Sequence, residues 1–408
     1  MNLLFISLLD FSSLDERNIY TDLLSSIQEQ GHDIFAVSPS ESRTGKASAV
    51  IQAGSAHITK PRIGNIQKTN VVEKGISTVL LGSDLRRAIK RDFSDVRFDL
   101  VLYPTPPITF LAAVEYVKRR DGATTYLMLK DIFPQNALDI GMMSTHGVKG
   151  LLYRHFRRQE KRLYAVSDYI GCMSQANADY LLAHNPNLDS RRVGICPNSV
   201  IPTDMSCDRE TRSRLREKYG IPQDKKVFVY GGNLGKPQDI PFLIECIRSQ
   251  VSNDKAFFLI VGDGTEYSKL ESLFSSESPK NAKLMRRLPK EDYDSLVGSC
   301  DVGLVLLDHR FTIPNFPSRI LSYVQAKIPV LCATDSNTDI GKVAEEGGFG
   351  VACSSASVDS FDEAMKRLLD SDLKAMGLAG WDYLQAHYDA RDTARSILET
   401  VELLRSNQ

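Results

Sequence analysis

Short, β-rich apolar runs alternate along the chain with longer stretches of helical period. This alternation limits the fold more than any other feature. Strands are predicted at 3–9, 33–38, 99–103, 125–129, 168–173, 193–196, 226–231, 256–261, 283–286, 302–307, 329–333 and 349–353. Helices are predicted at 16–30, 82–93, 107–121, 148–165, 175–184, 209–219, 238–250, 265–276, 290–299, 317–326, 357–370 and 390–405. Such a pattern produces parallel sheets covered by helices on both faces, an α/β architecture. A dozen strands exceed what one open sheet carries comfortably, and 408 residues are enough for more than one full core. Two doubly wound, Rossmann-like domains are therefore expected, facing across a cleft. The boundary falls in the turn-rich "PNSVIPTDMSCDRET", 197–211. In such folds ligands sit beyond the carboxyl ends of strands, so the loops there and the cleft are the places to look.

Composition removes several function classes. The net charge of −1 argues against a nucleic-acid-coating surface. The seven cysteines are odd in number and never spaced as CxxC, the usage of free thiols in a reducing compartment. "MNLLFISLLD" reads as a first strand and not as a leader. No run reaches the roughly 18 apolar residues of a membrane span. A cytoplasmic protein is expected.

Two loops carry the candidate chemistry. In "FVYGGNLGKPQDIPFLIECI", 228–247, a strand ends at Gly231-Gly232 and Lys236 follows at the mouth of a helix. Glycines allow close approach of backbone N–H groups to an anion, and a helix N-terminus adds positive potential. The spacing is neither that of a nucleotide-triphosphatase phosphate loop nor GxGxxG. In "IPNFPSRILSYVQAKIPVL", 313–331, Pro317 suits a first helical turn and Ser318 can cap it. Arg319 opposes the helix dipole there, which a bound anion would offset. Arg287-Leu288-Pro289 follows a short strand and can wall a base pocket. No convincing strand-end loop holds an aspartate pair, so a metal-independent site is expected.

The ordered series "YGGNLGK", "IVGDGTEYSKL", "MRRLPKEDYDSLVGSCDVGLVLL", "FPSRILSYVQAKIPVL" and "GGFG" resembles the nucleotide-binding half of glycosyltransferase family 4. "SDYIGCMSQANADYLL", "VGICPNSV" and "LKDIFPQNALDIGM" extend the likeness over nearly the whole chain. The resemblance implies the two-Rossmann GT-B fold and a retaining enzyme. It implies transfer of a hexosyl or N-acetylhexosaminyl group from a UDP-sugar to a lipid-linked or saccharide acceptor in capsule, O-antigen or exopolysaccharide assembly. It divides the chain into an acceptor-binding domain, 1–200, a nucleotide-sugar domain, 201–380, and a helix, 381–408, crossing back. Carried over, Gly232, Asn233 and Lys236 meet the diphosphate, with Ser318 and Arg319 opposite. Arg287 and Leu288 bracket the base, Asn315 and Phe316 line the donor-sugar pocket, and Asp131 faces the reacting centre. Pro314 and Ser322 stand where many members carry two glutamates, so Ser322 takes the place of a ribose ligand. A catalytically silent nucleotide-sugar-binding partner and a nucleotide-sugar epimerase of the same fold are the alternative readings.

One helix is strongly basic. Arg154, Arg157, Arg158, Lys161 and Arg162 in "KGLLYRHFRRQEKRLY" are expected on one face, with Leu152, Phe156 and Leu163 opposite. A long loop, 42–74, adds Arg43, Lys46, Lys60, Arg62, Lys68 and Lys74. Such residues suit an anionic membrane surface, at about 1 kcal/mol each. Relatives that glycosylate polyprenyl-diphosphate carriers point the same way.

Overall fold

A computed structural model describes residues 1–66 and 71–406. The chain folds as two compact units, Met1–Ile201 with the segment from Ala390 onward, and Pro202–Asp389. The return to the first unit begins at Ala390, later than the expected 381. The helix Leu373–His387 intervenes and stays in the second unit, where Lys327 lies 5.0 Å from the Trp381 ring.

In the first unit the sheet order is Val193–Ile195, Tyr169–Cys172, Thr124–Leu129, Leu100–Thr105, Asn2–Ile6, Asp33–Val37, Ala56–Lys60, Ala49–Ala53. All neighbours are parallel except the last pair. Central strands such as Leu100–Thr105 and Thr124–Leu129 are buried throughout, because helices cover both faces. Helix Ile19–Glu29 starts on a capping box, Asn18 accepting from Thr21 N while Thr21 bonds back to Asn18 N. The returning helix Ala390–Ser406 lays Ala394, Ile397, Leu398 and Val401 against Leu23, Leu24 and Ile27 of that helix in one core.

The second unit has the parallel order Ala282–Met285, Ala256–Asp263, Lys226–Asn233, Val302–Leu306, Val330–Thr334, Gly350–Ser354. Phe258 and Phe361 stack at 6.3 Å at its centre. Arg216 is buried at 1% exposure and paired with Asp301 through Nη2 at 2.6 Å.

Every predicted strand is present within a few residues. The stretch 42–74, expected as loop, is largely ordered structure. Ala49–Ala53 and Ala56–Lys60 form an antiparallel hairpin at the sheet edge. Its first strand is mostly exposed, so it lacks the apolar run that marks the buried strands. Lys60 is turned inward at 4% exposure and bonds Asp10, so it is no part of a basic surface. Lys68 and the side chain of Lys74 lie outside the described residues. The seven cysteines are free, five of them buried. No described helix is long and apolar enough to cross a membrane.

Candidate functional site

The second unit carries its candidate residues at or beyond the carboxyl ends of the strands Lys226–Asn233, Ala282–Met285 and Val302–Leu306. Lys226–Asn233 pairs with Ala256–Asp263 in a register that sets Gly232 beside Gly262 and Asn233 beside Asp263. Gly232 has φ +122, a conformation that only glycine adopts without strain. A Cβ on Gly262 would lie 2.1 Å from the Gly232 carbonyl oxygen, so the neighbouring strand must also be bare there.

Arg319 reaches this turn from the first residue of the helix Arg319–Gln325. Its Nη1 donates to the Gly231 carbonyl at 3.2 Å, and its guanidinium lies 4.4 Å from the Tyr230 ring centroid. A Cβ on Gly232 would stand 3.9 Å from it. The group is half-buried and, among the described residues, has no carboxylate partner. Lys236 projects from the same glycine turn, exposed, with no side-chain hydrogen bond or ion pair among the described residues. The two predicted cations therefore belong to one loop neighbourhood.

The helix termini differ from expectation. The glycine turn leads first into a 3-10 turn, Lys236–Gln238, and the helix proper starts at Ile240. Asp239 caps it, accepting from Phe242 N at 3.3 Å, so its first turn is already served by a carboxylate. Ser318 has helical dihedrals, φ −63 and ψ −15, and makes no capping bond, because capping geometry requires an extended residue. It is exposed beside Arg319. Asn233 braces the turn by donating to Gln238 Oε1 at 3.1 Å.

The other predicted donor residues sort by burial. Arg287 is exposed and Leu288 half-buried, in the loop after Ala282–Met285. Sequence reasoning passed over Arg286, which stacks 3.6 Å from the Tyr267 ring centroid and bonds Glu271 at 2.6 Å. Ser322 is half-buried and one helical turn from Arg319, on the same side of that helix. Asn315 is half-buried, its backbone N–H donating to Thr338 Oγ1 at 3.0 Å. Phe316 corrects an expectation. At 4% exposure its ring packs 6.0 Å from Tyr388 inside the unit, as burial of a large apolar side chain favours, so it lines no open pocket. Asp239, Asp308 and His309 bring possible ligand atoms within 4.8 Å of one another. Arg310 already bonds Asp308, and Asp239 serves as the helix cap.

In the first unit Asp131 follows the strand Thr124–Leu129. Its Oδ2 accepts from Asn136 Nδ2 at 2.6 Å, while Oδ1 is buried with no partner among the described residues. Burial pushes this carboxyl up to about 6. Beside it Lys130, also missed in the sequence, donates to the Cys196 and Pro197 carbonyls at 3.2 Å. A carboxyl raised on folding is bound more tightly to its proton in the native state, so native stability falls as pH rises through about 6. Asp131→Asn is expected to raise stability at neutral pH by on the order of 1–2 kcal/mol. The gain should vanish below the ordinary value of 3.8. Urea unfolding across pH measures this; a neutral or destabilising change at neutral pH contradicts it.

The basic helix spans Gly147–Val166, and its five predicted residues do not form one free face. Arg157 turns to Glu160, whose side chain is 1% exposed, and Arg162 bonds Glu115 at 2.8 Å. Arg154, Arg158 and Lys161 remain exposed with no carboxylate partner among the described residues. Phe156 and Leu163 are buried as expected, but Leu152 is 46% exposed. At 100° per residue it lies on the edge of the inward stripe and no neighbour covers it.

Comparison with known proteins fits this arrangement. Residues 211–379 match the model of the family described as glycosyl transferases group 1. "Probable glycosyltransferase WbjE" of Pseudomonas aeruginosa is 25% identical over 297 residues, 72% of this chain and 71% of that one. TuaC of Bacillus subtilis (strain 168), a glycosyltransferase named for teichuronic acid biosynthesis, is 22% identical over 63% of this chain and 62% of its own. Among solved structures, Anabaena HepE in complex with UDP superposes with a TM-score of 0.67 at 12% identity, covering 98% of this chain and 100% of that one. Residues 211–379 thus resemble the glycosyl transferases group 1, and the two parallel-sheet units have the GT-B fold.

Proposed function

We propose that the protein is a retaining transferase that moves a hexosyl or N-acetylhexosaminyl group from a UDP-sugar to a lipid-linked or saccharide acceptor. The product belongs to a bacterial surface polysaccharide such as capsule, O-antigen or exopolysaccharide. One observation carries the reading: the half-buried Arg319 guanidinium beside Gly232, with no carboxylate among the described residues to balance it. A desolvated cation without a counter-charge is costly, and an arriving diphosphate supplies one through charge-assisted hydrogen bonds.

Breaking the sugar–phosphate bond builds negative charge on the departing diphosphate. Cations held in place by the fold stabilise that state more than the ground state, with no metal required. Arg319 and Lys236 take this role, with Gly232 and Asn233 at the turn and Ser318 beside Arg319. Arg287 and Leu288 border the uracil, Ser322 the ribose and Asn315 the sugar. Asp131 orients the acceptor hydroxyl or takes its proton. HepE with UDP shows that this fold holds a uridine nucleotide in another protein. The surface-polysaccharide assignment leans on TuaC, named for teichuronic acid biosynthesis.

Thermal-shift titration with UDP, GDP and UDP-sugars tests the donor. Uridine nucleotides should stabilise the protein by about 2.7 kcal/mol at a hundred times the dissociation constant. No stabilisation by any nucleoside diphosphate, or an undiminished shift in Arg319→Ala, overturns the assignment. Pro314 and Ser322 in place of glutamates keep one second reading in view, a partner that binds nucleotide-sugar without turnover. Hydrolysis of a UDP-sugar in the absence of acceptor excludes it.

A further inference from the structure

Four large apolar side chains are exposed within a short segment of the first unit: Met142 at 53%, Val148 at 84%, Leu151 at 62% and Leu152 at 46%. Single exposed apolar residues are ordinary on any protein, whereas a contiguous set marks a surface that meets something. Val148, Leu151, Leu152 and the exposed His155 follow the i, i+3, i+4, i+7 spacing at the start of the helix Gly147–Val166. Val148, Leu151 and His155 lie away from Phe156, Glu160, Leu163 and Tyr164, which the same helix buries in its own unit, and Leu152 stands at the edge between the two sets. The helix thus has one apolar stripe inside and a second outside.

The residues around the outer stripe indicate its occupant. The helix holds six basic residues, Lys149, Arg154, Arg157, Arg158, Lys161 and Arg162, against one acidic residue, Glu160. Arg157 neutralises Glu160 within the fold. Lys149, Arg154, Arg158 and Lys161 remain exposed, and none has a carboxylate partner among the described residues. The first two turns thus carry exposed apolar side chains, and the next two carry exposed cations to one side of them. A surface of low-dielectric interior and negatively charged rim satisfies both at once, and that is an anionic bilayer.

We propose that the first two turns of this helix, through Val148, Leu151 and Leu152, insert into an anionic lipid surface while Arg154, Arg158 and Lys161 hold the headgroups. This adds apolar insertion to the electrostatic attraction expected of a basic helix, and it stands on the first unit alone, independent of the donor site.

Co-sedimentation of the full chain with phosphatidylcholine vesicles, with and without added phosphatidylglycerol, tests it. The protein should pellet with the anionic vesicles, and raising salt should weaken the binding without abolishing it. Leu151→Ser/Leu152→Ser replaces only exposed side chains. It should lower the bound-to-free ratio at least about tenfold, at low and high salt alike. Its thermal shift with UDP should match that of the unaltered protein, which separates a failure here from a failure of the donor assignment. The proposal is overturned if the unaltered protein stays in solution with anionic vesicles, or if the double variant binds like it. It is equally overturned if the variant turns a dimer into a monomer without affecting vesicle binding, since the face would then join two copies of the chain.

Discussion

Arg319→Ala is expected to lower turnover of the UDP-sugar by at least about a hundredfold, the scale of removing one preorganised donor to a developing oxyanion. The fold should survive, because among the described residues the guanidinium makes a single hydrogen bond, to the Gly231 carbonyl, besides its contact with the Tyr230 ring. Arg319→Lys should recover little, since an ammonium cannot present the planar fork that meets two phosphate oxygens at once. Lys236→Ala should cost turnover on a similar scale. Its side chain is exposed and makes no hydrogen bond or ion pair among the described residues, so the melting temperature without ligand should not move. Steady-state rates and UDP titrations of the three variants separate binding from chemistry. Turnover within about threefold of normal in Arg319→Ala would remove the guanidinium from the reaction.

The largest effect on stability is expected from Arg216→Ala. The Arg216 side chain is 1% exposed and donates from Nε to Ser299 O at 2.9 Å and from Nη1 to Pro222 O and Lys225 O at 3.0 Å. Its Nη2 bonds Asp301 at 2.6 Å, and Asp301 also accepts from Val227 N at 2.8 Å and Arg212 at 2.7 Å. The change removes the buried cationic partner of Asp301 and leaves three carbonyls unpaired, and breaking a buried pair costs about 3–5 kcal/mol. Burial alone would raise the Asp301 carboxyl, but Arg212, Arg216 and the Val227 N–H outweigh it and hold it below the ordinary value of 3.8. A depressed carboxyl contributes stability that is present above that ordinary value and lost as pH falls through the folded one. The stability difference between variant and unaltered protein should therefore shrink at strongly acid pH. Urea unfolding reads both quantities. A loss at neutral pH of less than about 1 kcal/mol would mean that water or Arg212 replaces the lost partner.

Much of the fold was legible because burial imposes a period on the chain. Strands covered on both faces, such as Leu100–Thr105 and Val302–Leu306, read as unbroken apolar runs. The edge hairpin Ala49–Lys60 was not legible, because a strand exposed on one side lacks that run. The glycine turn and Lys236 were legible from local spacing. The capping role given to Ser318 and the pocket role given to Phe316 were not, since both depend on backbone angles and packing partners that spacing does not encode.

By itself the sequence determined which buried segments are strands, and that two cations stand on loops of one domain, one of them beside a glycine turn. Only the tertiary structure decided which cation is left without a counter-charge. Arg319 finds the Gly231 carbonyl 88 residues away, and Arg216 finds Asp301 at a separation of 85. Two arginines look alike in the sequence. One is neutralised in a core and the other is held open beside a bare turn, because the charge balance of a buried group depends on partners that only the folded chain brings near.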